Sequence, residues 1–294
     1  MIEEFSSFHE ALKRLIEEEK NTSKIMVVGA PDSGKTFAVE TLAKIFSSQR
    51  KIAIIDLDPG QSHIGPPTTV AWAKVNGKFE SWDLLRMRDF YFVGDTSPRG
   101  NLLPLVVGAK IILEKAEKEC DLLIVDTTGL VRGGIGKVLK LSLIDILRPD
   151  VVLAFSRENE LNHILFPLKK LDFPRIYKLP VSSEVKVKDV STRFSYRQLK
   201  FKEYFKKARE VEFSLDDVEF DVNFNLNEVD FSLVSLRDRH NKDTALGIIK
   251  IFDERKGKIV VFSPISTPED VRRIVVGRLK ITPEGDQLPW RRMG

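Results

Sequence analysis

Cysteine occurs once in the 294-residue chain, at Cys120, so no intramolecular disulfide can form and no cysteine cluster exists to hold zinc. That usage fits a reducing, cytoplasmic setting, in which any metal chemistry runs through oxygen ligands. Histidine is also scarce, and His9, His63, His163 and His240 are scattered without metal-ligand spacing. No apolar run approaches the roughly 18 to 20 residues that a bilayer span requires, which argues against a membrane location. Internal repeats and low-complexity linkers are absent too. What is present is ample core material: 42% hydrophobic residues, enough for one large domain or a large one with a small companion. A charged fraction of 31%, with few cysteines and methionines, leans towards a thermophile.

The net charge is only +4, yet residues 186–210 carry nine Lys/Arg against three Asp/Glu. The basicity is therefore local, which suits a phosphate-bearing ligand better than a diffuse basic surface would. At the N-terminus, Phe5, Phe8, Leu12 and Ile16 recur at helical spacing and predict an amphipathic helix over 1–21. Beyond it, Ile25–Val28, Lys51–Leu57, Leu122–Asp126, Val151–Phe155 and Arg175–Leu179 read as short β-branched strands with helices between them. This alternation predicts an α/β fold with a doubly wound, mostly parallel sheet over 22–210. Asn76-Gly77 predicts a tight β-hairpin over Ala71–Phe79, and residues 211–294 predict a small, mostly β C-terminal domain with a hairpin turn at DERKG.

Gly29-Ala30-Pro31-Asp32-Ser33-Gly34-Lys35-Thr36 satisfies the phosphate-binding pattern G-x-x-x-x-G-K-[ST] directly after the apolar strand IMVV and at the head of a helix. Glycines let backbone N–H groups curl around phosphate oxygens, and the helix N-terminus adds positive potential. Lys35 supplies a mobile charge for the β- and γ-phosphates, and Thr36 a hydroxyl for Mg²⁺; Phe37 follows as part of the nucleotide-binding stretch. ATP and Mg²⁺ are the expected cofactors. Asp126, which ends the apolar strand LLIVD, is a candidate for the metal's shell opposite the loop.

The second strand ends in Asp56-Leu57-Asp58-Pro59-Gly60-Gln61. Carboxyl ends of adjacent strands face the ligand crevice in a doubly wound sheet, so both carboxylates can reach the γ-phosphate. Asp58, exposed by the Pro-Gly bend, is the candidate general base for an attacking hydroxyl, and Asp56 the candidate for orienting metal-bound water. The bland alternative is that one of them only caps a turn.

Taken together, DLDPGQSHIGPPTT, GDTSPRGN at Gly94–Asn101 and VDTTGLVRGGIG at Val125–Gly136 closely resemble the polynucleotide 5′-hydroxyl kinase family of RNA processing, its archaeal members above all. The resemblance covers roughly residues 22–210. It implies an ATP-dependent kinase acting on 5′ ends of single-stranded or duplex RNA, with DNA as a further acceptor and RNA-processing proteins as partners. It also implies roles: Lys35, Thr36 and Asp58 as above; Gln61 on the terminal nucleotide; Thr96, Ser97, Pro98 and Asn101 in a loop beside the acceptor strand; Thr127, Thr128 and Gly129 closing over the substrate end. Eukaryotic relatives carry a tryptophan after that glycine, where this chain has Leu130, so aromatic stacking worth about 1 to 3 kcal/mol is reduced.

Arg193, Arg197 and Lys200 share one helix face, and Phe201, Tyr204, Phe205 and Ala208 form an apolar stripe. The resemblance makes 184–210 a lid whose Arg193 and Arg197 close over the transferring phosphoryl group, with Lys186, Lys188, Lys202, Lys206 and Lys207 as candidate backbone-phosphate contacts. A solvated charged face is the alternative. Three rival functions remain open at this level. A GTPase lacks its guanine reader, because VVLAF runs into Ser156-Arg157-Glu158-Asn159-Glu160. A catalytically weak ATP-binding scaffold of an RNA-processing complex is opposed by intact Lys35, Asp58, Arg193 and Arg197. A small-molecule kinase is opposed by Gln61 and the 96–98 turn.

Overall fold

The computed structural model describes residues 2–18, 22–185, 187–221 and 229–289. Lys186 and the ends of the expected N-terminal helix and C-terminal domain (1, 19–21 and 290–294) lie outside them, as does 222–228. Five apolar runs form the parallel core: β2 (Lys24–Gly29), β3 (Ile52–Leu57), β6 (Leu122–Thr127), β7 (Val151–Ser156) and β8 (Arg175–Pro180), each within one residue of its expected bounds. These strands are buried on both faces, which is why they read as continuous apolar runs and not as alternation. With β1 (Ile2–Glu4), β4 (Thr69–Lys74) and β5 (Met87–Phe92) they make an eight-stranded sheet in the order β1-β8-β7-β2-β6-β3-β4-β5. Only the β3–β4 and β4–β5 pairings are antiparallel. Helices α1 (Phe8–Glu17) and α2 (Lys35–Phe46) cover one face, while α3 (Leu102–Glu117), α4 (Gly133–Leu147) and the short α5 (Asn162–Leu165) cover the other.

Three local expectations are corrected. The N-terminal helix is shorter than 1–21: Ile2–Glu4 instead adds an edge strand parallel to β8, and Ser7 caps the helix that follows. That helix buries Ala11, Leu12 and Leu15, and leaves Ile16 44% exposed. The Asn76-Gly77 pair does not close a tight hairpin. Strands β4 and β5 do pair, but through a long connection in which Phe79 is buried and Trp82 packs on the α2 face of the core. Burial of these aromatics outweighs the short turn, since one such side chain contributes about 1.5 to 3 kcal/mol. Finally, the second sheet begins before residue 211, because Arg209–Ser214 is already its strand β9.

The lid helix α6 (Val190–Tyr204) leads into that sheet. Its strands are β9, β10 (Glu219–Asp221), β11 (Ser232–Asp238), β12 (Asp243–Asp253), β13 (Lys258–Ser263), β14 (Val271–Ile281) and β15 (Gln287–Leu288). The order is β10-β14-β11-β12-β13-β9, with β15 on β14, and all pairings except β10–β14 are antiparallel. The DERKG turn joins β12 to β13, with Gly257 at φ 60°. The two sheets share a core: Phe90 and Phe92 of β5 pack with Phe201 and Phe205 of the lid root and with Leu233, Leu246 and Ile248 of the second sheet. No described helix is long and apolar enough to cross a membrane.

A buried ion pair marks the junction. Asp243 accepts from Arg237 Nε at 2.6 Å, from Ser235 Oγ at 2.5 Å and, across the junction, from Phe92 N at 3.1 Å. Removing one partner strands the other charge away from water, which typically costs about 3 to 5 kcal/mol. Arg237→Ala is therefore expected to lower the urea midpoint strongly, as followed by circular dichroism, whereas truncating the exposed Lys256, which pairs with Asp253 at 3.3 Å, is expected to leave it nearly unchanged.

Candidate active site

The carboxyl ends of β2, β3 and β6 open into a cleft of about 1040 Å³. Its floor is the phosphate loop between β2 and α2. Gly34, at φ 90°, turns the chain into the helix without a side-chain cap, which leaves backbone N–H groups at the helix end for an anion. Ala30, Pro31, Asp32, Lys35 and Thr36 line the cleft, while Gly29, Ser33 and Gly34 shape the loop without lining it. Phe37 points away: it is 67% exposed and meets Phe8 edge-on.

Lys35 is 8% exposed and donates to the Ala30 carbonyl at 2.7 Å. Burial pushes its pKa down, opposed by the carboxylates of Asp126, Asp58 and Asp32. Thr36 Oγ1 donates to Asp126 Oδ2 at 3.2 Å. Asp126 Oδ1 is buried with no partner, and desolvation raises this carboxyl to about 7 against the pull of Lys35. An orphaned carboxylate oxygen beside a hydroxyl is the donor set of a hard cation that completes its shell with phosphate oxygens and water. Among the described residues there is no group of three or more His/Cys/Asp/Glu that could hold a metal ion.

Asp56 is placed elsewhere. Its carboxylate accepts from Asp58 N at 3.0 Å, Ser62 Oγ at 3.0 Å and His63 N at 2.6 Å, so it folds the 58–64 loop and does not line the cleft. Asp58 does line it. Its Oδ1 accepts from Gly60 N at 2.9 Å and Gln61 N at 3.1 Å, which fixes the carboxylate's orientation. Gln61 also lines the cleft and donates to the Arg193 carbonyl at 3.3 Å.

On the opposite wall, Thr96, Ser97 and Pro98 line the cleft; Asn101 does not, but its amide donates to Ser97 O at 3.2 Å and braces the turn. Thr127, Thr128, Gly129 and Leu130 form the remaining wall. Gly129 lies so close to the phosphate loop that a Cβ would meet Pro31 N at 2.7 Å. From the lid, Arg193 and Arg197 face the cleft, whereas Lys200 lies over the Tyr196 ring. Of the lysine set, Lys188 lines the cleft; Lys202, Lys206 and Lys207 are exposed outside it. The Phe201 and Phe205 stripe anchors the helix on the second sheet.

A family model described as the mRNA cleavage and polyadenylation factor CLP1 P-loop matches residues 29–207. The chain belongs to this CLP1 P-loop family. Among its relatives, the polyribonucleotide 5′-hydroxyl-kinase of Pyrococcus furiosus is 30% identical, with 92% of this chain and 90% of that one covered. The corresponding enzyme of Pyrococcus abyssi is 30% identical over 93% and 92%. In fold, the CLP1 P-loop architecture is also that of wild-type Clp1p in its complex with Pcf11p: TM-score 0.70 at 13% identity, covering 93% of this chain and 79% of that one.

Sequence reasoning missed Lys140. It sits on the apolar face of α4 among Leu139, Leu143 and Leu147, fully buried, and a lone lysine in that stripe was the available signal. Its Nζ donates to Thr127 Oγ1 at 2.8 Å and Thr128 O at 2.5 Å, and Thr127 in turn donates to Val27 O at 2.7 Å. Lys140 therefore holds the Thr127–Leu130 wall beside the phosphate loop. Arg157, which grips the Asp32 carbonyl, carried no sequence signal at all.

Desolvation lowers Lys140 from 10.5 to about 7. A depressed folded-state pKa means the unfolded chain binds the proton first as pH falls, so this contribution to stability is present above about 10.5 and is lost progressively towards about 7. Lys140→Met is expected to flatten the dependence of the urea midpoint on pH between about 7 and 10; an unchanged slope would show that Lys140 titrates normally.

Proposed function

We propose that this chain transfers the γ-phosphoryl group of ATP to the 5′-hydroxyl end of RNA. The observation that carries the reading is the convergence, in one cleft, of the phosphate-loop Lys35 and Thr36, the carboxylates of Asp58 and Asp126, and the two lid arginines. Kinship with archaeal polyribonucleotide 5′-hydroxyl-kinases supports RNA as the acceptor class.

In this reading the phosphate loop and Lys35 hold the β- and γ-phosphates, and Mg²⁺ would be held by Thr36 and Asp126. When bound, the ion would neutralise negative charge on the β- and γ-phosphates. Asp58 stands where a terminal 5′-hydroxyl can enter, with Oδ1 tied back by Gly60 and Gln61 and Oδ2 as the proton acceptor. The attacking oxygen forms a bond to the γ-phosphorus, the bond from that phosphorus to the β-phosphate oxygen breaks, the hydroxyl proton passes to Asp58, and ADP leaves. Positive charge from the lid neutralises the charge that develops on the transferring group, and an arginine supplied in this way contributes about 10³- to 10⁵-fold in related chemistry. Gln61, the 96–98 turn and the 127–130 wall position the terminal nucleotide, and Leu130 offers an aliphatic surface to its base.

A scaffold role would leave the unsatisfied Arg197 Nε and the second oxygen of Asp58 without a task in the cleft that both residues line. DNA is a second acceptor on the same geometry, distinguished by contacts to the 2′-hydroxyl. The test is transfer of label from γ-labelled ATP to 5′-hydroxyl RNA and DNA oligonucleotides in Mg²⁺. Lys35→Ala is expected to abolish transfer. Asp58→Asn is expected to lower kcat by about 10²- to 10⁴-fold while sparing ATP binding. Normal turnover in Asp58→Asn would remove that carboxylate from the base role.

A further inference from the structure

The two lid arginines are held differently. Asp32, in the phosphate loop, has a left-handed backbone (φ 53°) and a side chain only 11% exposed. A carboxylate on a loop that receives phosphates opposes its own ligand unless a cation neutralises it. Here Asp32 Oδ2 accepts from Arg193 Nη2 at 2.5 Å and from the backbone N–H of Lys188, at the lid entry, at 3.3 Å. The Asp32 carbonyl is meanwhile gripped by the Arg157 guanidinium, which holds that residue of the loop in place. Arg193 is thus tied at its guanidinium to the phosphate loop and, through the Gln61 bond to its carbonyl, to the acceptor loop.

Arg197, one helical turn on, has no such tether. Its Nε is buried without a partner, its guanidinium lies 5.9 Å from the Phe194 ring centroid, and it lines the same cleft. A half-buried guanidinium whose Nε–H is out of water and unsatisfied is poised for an anion that enters with the substrates.

We propose that Asp32 is a positioning residue that latches the lid through Arg193, and that Arg197 is the lid arginine that meets the transferring phosphoryl group. The division of labour rests on the phosphotransfer reading; the latch itself does not. It gives the Asp32 side chain a function separate from cradling phosphate, which its charge disfavours. It also makes lid placement depend on one ion pair between the phosphate loop and helix α6, which must act together.

The latch is tested in the ligand-free, full-length protein by backbone hydrogen exchange over residues 187–197. Asp32→Asn and Arg193→Gln are each expected to accelerate exchange there by about tenfold, the scale of one charge-assisted hydrogen bond, with β2 and β6 unchanged as the check on folding. The double variant is expected to exchange no faster than the faster single one, and Arg197→Gln to stay within about twofold of wild type on the same scale. No acceleration in Asp32→Asn, or a further acceleration when it is added to Arg193→Gln, overturns the latch. Kinetics then separate the arginines. Arg197→Gln is expected to lower kcat by about 10²-fold or more, and Arg193→Gln by about tenfold. Equal losses overturn the division of labour. A wild-type protein without kinase activity would sink the phosphotransfer reading while the exchange comparison still decided the latch.

Discussion

Charge held out of water at the carboxyl ends of three parallel strands governs this structure. Lys35 and Asp126 are buried in the cleft and Asp56 and Lys140 behind its walls, and a buried ion must find a partner, a ligand or a shifted proton. Each meets that demand in its own way. Asp56 gathers backbone and hydroxyl donors and so folds the 58–64 loop. Lys140 turns to Thr127 and Thr128 and fixes the wall they form. Lys35 rests on a carbonyl, and Asp126 keeps one oxygen without a partner. The last two are the incompletely satisfied ones, and they are the groups that face the nucleotide and its metal in the proposed reaction.

The second sheet belongs to the same construction. At the lid root, the Tyr204 hydroxyl oxygen accepts from the backbone N–H of Leu246 at 2.8 Å, and the Gln198 amide donates to Asp286. At the end of β5, Arg278 N donates to Gly94 O at 2.7 Å and Asp243 accepts from Phe92 N. One β layer therefore holds both the lid and the loop that precedes Thr96. Positioning within fractions of an ångström is what phosphoryl transfer demands of a protein, since little covalent chemistry is asked of it.

Much of this was legible in the chain. The five parallel strands are short apolar runs buried on both faces, and the phosphate loop has a spacing that admits few other uses, so both were readable to within a residue. The DERKG hairpin was readable for the same local reason. Where the reading failed, a long-range contact outweighed a local preference. Asn76-Gly77 favours a tight turn, but Phe79 and Trp82 gain more by reaching the core. Ile2–Glu4 continues a helical pattern, but β8 offers an open edge to pair with.

By itself the sequence determined the alternation of strands and helices, the phosphate loop and the set of polar residues at the strand ends, because these depend on neighbours within a few positions. Only the tertiary structure decided what each polar group does. Asp56 and Asp58 are alike in sequence and two residues apart, yet one is spent on a loop and the other faces the cleft. Arg193 and Arg197 share a helix face, yet one is paired with Asp32, 161 residues away, and the other is not. Such differences arise from which partner desolvation brings within reach, and that is settled by packing between distant segments.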